Sequence, residues 1–87
     1  MKCTIDASSM TDRQTAHRIL KEALSLPDWY GNNLDALYDL ATAMEAEVCL
    51  IHVGALRTQL GTYGEKLIAT LQDAAGKNPG FTLYMEE

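Results

Sequence analysis

Asp35 and Asp39 stand four residues apart in the stretch LPDWYGNNLDALYDL, Leu26 to Leu40. On a helix, positions i and i+4 face the same way. Two carboxylates so placed could share a proton as an acid–base pair, or ligate a hard cation through oxygen. Either chemistry needs companions, and the sequence supplies none beside them. The two histidines, His17 and His52, have no neighbouring Cys or Ser that suggests a nucleophile. The glycines form neither GxGxxG nor a phosphate-binding loop. Cys3 and Cys49 are too few for a zinc site without well-spaced histidines. They read as two buried, reduced thiols rather than a disulfide. The expectation is a protein that is not an enzyme and holds no metal and no cofactor.

The aspartates then need another reason. Like charges at i and i+4 cost about 0.2–0.5 kcal/mol of helix stability. Asp35 recovers part of this near the helix N-terminus, where negative charge suits the macrodipole. Asp39, a turn further on, recovers less. No Lys or Arg stands at i±4 from either. An ordinary solvated acidic face is the plainer reading. Against it, Trp29 and Tyr38 accompany the acids, although large rings normally bury themselves. Exposed aromatics ringed by charge mark protein interfaces. Tyr30 is expected to plug the core beneath the loop, with Trp29 at least partly exposed.

The charge balance sharpens this. Glu22 to Leu56 carries six acids and no Lys or Arg, while the rest of the chain has six acids against seven bases. The net charge of −5 therefore resides in the segment holding the two aspartates. Such a field repels nucleic acid and attracts basic partners.

The elements that position these residues follow from periodicity. With 87 residues, 47% of them hydrophobic, the chain has room for one small domain, 1–87. No apolar run approaches the roughly 18 residues of a membrane span, and MKCTIDASSM lacks the apolar stretch of a signal peptide. The expectation is a cytoplasmic protein without membrane contact. Cys3-Thr4-Ile5 reads as a first strand. Ala16, Ile19, Leu20, Ala23 and Leu24 predict an amphipathic helix over 12–25, opened by a Thr11–Gln14 capping box. Pro27 prevents its continuation. PDWYGNN is a loop, in which Gly31 is free to take positive φ. Asn32 or Asn33 caps a second helix near 33–44. Val48 to Val53 is a nearly continuous apolar run, interrupted by His52 and ended by Gly54, as in a strand buried on both faces. A short helix or loop follows. Thr62 and Glu65 have capping-box spacing and open a helix near 62–76. KNPG is a turn, and Phe81 to Met85 is the last strand. His17 is expected toward the edge of its helix. Strands alternating with helices favour an α/β fold with a parallel sheet and helices on its faces.

The segment LSLPDWYGNNLDALYDL also resembles the barstar family, through its L-P-x-x-Y-G-x-N-x-D-A-L pattern. The order of elements agrees over nearly the whole chain. The resemblance implies a three-stranded parallel sheet with helices packed on it. It further implies an intracellular inhibitor, monomeric when free, whose second helix and preceding loop plug the active site of a basic, secreted ribonuclease. On that reading Asp39 stands in for a substrate phosphate, Asp35 is a second acidic contact, and Trp29 packs on the enzyme. Asn33, Leu34, Tyr38, Thr42 and Met44 fall on or beside the same face, and Asp73 is the counterpart of an acidic contact on the last helix. The family's best-known member has Tyr and Trp where this chain has Trp29 and Tyr38, and Gly-Trp where it has Ala43-Met44. The alternative expectation is an interaction or immunity module that docks a different basic protein or toxin on the same face.

Overall fold

The computed structural model describes all residues, Met1–Glu87. The elements in chain order are β1 (Lys2–Asp6), a 3-10 turn (Ala7–Ser9), α1 (Arg13–Leu24), α2 (Leu34–Ala41), β2 (Ala46–Ile51), α3 (Val53–Leu60), α4 (Thr62–Lys77) and β3 (Phe81–Met85). The three strands form one parallel sheet in the order β1-β2-β3. This is the α/β architecture that the alternation of strands and helices predicts.

The sheet is one-sided. Cα partners run Thr4, Cys49, Tyr84 across one row and Ile5, Leu50, Met85 across the next. Paired residues in a parallel sheet project to the same side. Ile5, Val48, Leu50 and Phe81 are buried on one face, whereas Lys2, Thr4, Glu47 and Tyr84 are exposed on the other. The reason lies in the strand order. Both crossovers advance in the same direction, and crossovers of one hand moving one way lay their helices on one side. The expectation of a strand buried on both faces fails for β2, which alternates instead: Cys49 is half-buried on the open side.

The helix ends differ from the capping-box spacings. The carboxylate of Asp12, not Thr11, caps α1 by accepting the Thr15 amide at 2.7 Å. Gly61 precedes α4, which has no side-chain cap. In both places a neighbouring residue takes the extended or special conformation that the cap position needs, so the S/T-x-x-E/Q pattern is coincidental. Ser25 ends α1 in the left-handed region, with φ 53°, two residues before Pro27. β2 stops at Ile51, and His52 turns the chain with φ 56° into α3. His52 thus ends the strand rather than interrupting it.

Twenty buried hydrophobic residues form a single core cluster between the sheet and the helices. Neither cysteine is fully buried, and both are free thiols. No helix is long and apolar enough to cross a membrane.

Candidate partner-binding surface

The loop before α2 is held from below. Tyr30 is 4% exposed and its neighbour Trp29 75% exposed. The Tyr30 hydroxyl lies 2.6 Å from Nδ1 of His17, and Nε2 of His17 lies 2.6 Å from the hydroxyl of Tyr63 on α4. His17 is buried at the centre of this chain rather than near the edge of its helix. Burial lowers its pKa and raises those of both tyrosines, so the ring is neutral near pH 7. One ring nitrogen then donates to one hydroxyl, and the other accepts from the second hydroxyl. The relay locks Tyr30 inward, and the preceding residue, Trp29, faces outward.

Asn32, not Gly31, takes the left-handed turn, at φ 54°. Gly31 instead makes room for a side chain: a Cβ there would come within 2.9 Å of the Asn33 side-chain nitrogen. That amide donates to the Gly31 carbonyl, while its oxygen caps α2 by accepting the Ala36 amide at 2.8 Å. Asn33 is thereby committed to shaping the loop.

α2 presents the two acids. Asp35 and Asp39 are both exposed, and Leu34 and Tyr38 are half-buried with one side packed on the core. The helix ends at Ala41, three residues short of the expected end. Its last carbonyls are accounted for. Tyr38 O accepts the amide and hydroxyl of Thr42, Asp39 O accepts the same hydroxyl, and Ala41 O accepts the Asn78 amide. The Asn78 amide also donates to Met44 O, 2.8 Å away. Thr42 and Met44 therefore lie at and beyond the helix end, both half-buried, and Met44 is pinned from the α4–β3 turn. Asp73 is exposed on α4, the helix that packs against α2. Spacing on one helix groups Leu34, Asp35, Tyr38, Asp39 and Thr42. Asp73 joins them only through the packing of the two helices.

Asp35 is less isolated in space than in sequence. A cleft of about 470 Å³ opens beside the start of α2, between residues 32–35 of the loop and helix, Arg13 of α1, and Tyr63 and Lys66 of α4. The Arg13 guanidinium rests 4.2 Å from the Tyr63 ring centroid. Arg13 and Lys66 lie 22 and 31 positions from Asp35, which sequence spacing alone does not connect. The only sequence signal was their placement in helices with periodic apolar faces.

Elsewhere, the carboxylate of Asp6 accepts the Ser8 amide and hydroxyl and lies 2.8 Å from His52 Nδ1. These bonds hold Asp6 down to about 2. Ser8 and His52 address the same oxygen rather than each other, so no hydroxyl is set to lose its proton to the imidazole.

Three parallel strands beneath four helices, with a loop aromatic and an acidic helix on the surface, are the features of one class. The family model described as Barstar (barnase inhibitor) matches residues 1–86, and the chain belongs to the barstar family. A Bacillus subtilis (strain 168) protein named "Putative ribonuclease inhibitor YrdF" is 33% identical over 76 residues, covering 84% of each chain. The family is one of inhibitors rather than enzymes, and this kinship supports a barnase-inhibitor-like role.

Proposed function

We propose that this chain binds a basic ribonuclease through the surface from Trp29 to Met44 and occludes its active site. The observation that carries the reading is the placement of Asp35 and Asp39, exposed and without an ion-pair partner on α2, beside an outward Trp29. A ribonuclease site is basic because it binds phosphates. An acidic helix offers it complementary charge, steered encounter and steric occlusion together. Asp39 occupies the place of a substrate phosphate, Asp35 meets a second cation, and Trp29 packs on the enzyme's rim. Asn33 holds the loop, Leu34 and Tyr38 supply apolar contact, and Thr42, Met44 and Asp73 lie at the margin. The partner is a protein, with neither nucleic acid nor membrane involved, and the free inhibitor is a cytoplasmic monomer.

The test is inhibition of barnase-type ribonucleases, measured by RNA cleavage, with wild type and Asp39→Ala. Truncating one member of a desolvated charge pair costs about 2 kcal/mol or more, or about thirtyfold in Kd. The expected result is inhibition by wild type, weakened at least that much by Asp39→Ala, with an unchanged unfolding temperature. A wild type that is folded yet neither binds nor inhibits any such enzyme, including any encoded beside its gene, refutes the proposal.

A further inference from the structure

The recognition surface carries two positive charges that an all-basic partner would not tolerate. Arg13 and Lys66 are both exposed, and neither enters an ion pair within the molecule. Both line the cleft that Asp35 also lines, continuous with the start of α2. Arg13 is fixed in place before any partner arrives, because its guanidinium stacks on Tyr63 and the Tyr63 hydroxyl is tied to His17. A side chain already held loses little entropy on binding. The side-chain amide of Asn32, at the same rim, makes no hydrogen bond within the molecule and is available to an incoming oxygen.

We infer that this cleft receives an acidic side chain of the ribonuclease, seated between Arg13 and Lys66. The inference rests on the ribonuclease-inhibitor reading and adds to it a statement about the partner. That partner presents a carboxylate next to the cation that meets Asp35, not a uniformly basic face. The presence of Asp35 in the cleft argues for a carboxylate carried on a protein rather than a small free anion. A lone anion would meet the Asp35 charge unrelieved. A partner that brings a cation to Asp35 and a carboxylate to Arg13 and Lys66 satisfies all three at once. Alternating charge of this kind fixes register and excludes wrong partners, since like charges brought together cost several kcal/mol.

Lys66→Glu separates the two pictures by sign. Against a uniformly basic face, exchanging a cation for an anion speeds association and tightens binding. Against a seated carboxylate, it opposes like charges. The measurement is Kd and association rate for a barnase-type ribonuclease that the wild type inhibits, compared with Lys66→Glu and Lys66→Gln, each checked for an unchanged thermal transition. We expect Lys66→Glu to weaken binding by about tenfold or more, and Lys66→Gln by a smaller factor in the same direction. Lys66 has no partner within the molecule, so the Gln variant keeps the test open should the Glu variant fold poorly. Unchanged or tighter binding by the folded variants overturns this inference and leaves the inhibitor reading standing. A wild type that inhibits no such ribonuclease overturns both.

Discussion

His17 carries more of the structure than its position in the sequence suggests. It is the only buried residue outside the hydrophobic core set, and both of its ring nitrogens are matched to tyrosine hydroxyls. Burial lowers its folded-state pKa below the ordinary value of 6.5. The unfolded chain therefore binds the proton more readily than the folded one. The stability this group contributes is full above about pH 6.5 and is lost as pH falls from there through the lowered folded value. Urea unfolding at a series of pH values should show a falling transition midpoint in that window, and His17→Gln should lack that component. Asp6 behaves in the same sense at lower pH. Its contribution is present above its ordinary 3.8 and is lost as pH falls toward about 2. None of this was legible in the sequence. The partners of His17 lie 13 and 46 residues away, and no local pattern announces a relay assembled from α1, a loop and α4.

The elements were legible where period decided the matter, and obscure where a single backbone angle did. The amphipathic spacing of α1 and α4 places Leu20, Leu24, Leu67 and Leu71 in the core, and all four are buried. The expected end of the second helix, near 44, overshoots because Met44 continues the apolar period of Leu37, Leu40 and Ala41. What stops it is the Thr42 hydroxyl and the Asn78 amide, which satisfy the terminal carbonyls from outside the helix. At α3 the sequence allows either a short helix or a loop. The helix begins at a left-handed His52, where sequence offers no glycine to suggest such a turn. The contact of α3 with α4 provides a sharper test of packing. A Cβ on Gly64 would collide with the Leu56 carbonyl, which is backbone and cannot swing aside. Helix propensity favours alanine over glycine by about 1 kcal/mol, whereas overpacking costs about 1–3 kcal/mol. Since the clash is with a carbonyl rather than a flexible side chain, the upper part of that range applies. Gly64→Ala should lower the free energy of unfolding by about 1–2 kcal/mol net, read from urea denaturation. No loss of stability would mean that α3 and α4 can separate without penalty.

At the scale of the molecule, the −5 charge is arranged rather than spread. Acids gather on the segment that holds α2, and the cations that share a cleft with Asp35, Arg13 and Lys66, come from α1 and α4. The sequence made the acidic half of this surface visible, since it is continuous in the chain. The basic half is assembled only by folding. The radius of gyration, 11.5 Å, is close to the roughly 12 Å of a compact chain of this length. A chain this small buries roughly 60–65% of the surface its unfolded form exposes, less than a larger domain does. It has little stability in reserve for the loss of any one helix.

The eight residues of α2 make about 12 Å of helix, well below the roughly 12–15 residues at which an isolated helix becomes even marginally stable in water. The loop before it keeps its shape through Tyr30, whose hydroxyl is bonded to His17 of α1, itself bonded to Tyr63 of α4. The acidic face is therefore a conformational epitope with no independent existence. A synthetic peptide spanning residues 27–44 should be unstructured by circular dichroism and should not inhibit a ribonuclease that the whole chain inhibits at equal concentration. Helical, inhibitory peptide would contradict this. A protease that opens the chain anywhere in the core would then silence recognition as completely as removing Asp39, because the surface lasts only as long as the fold does.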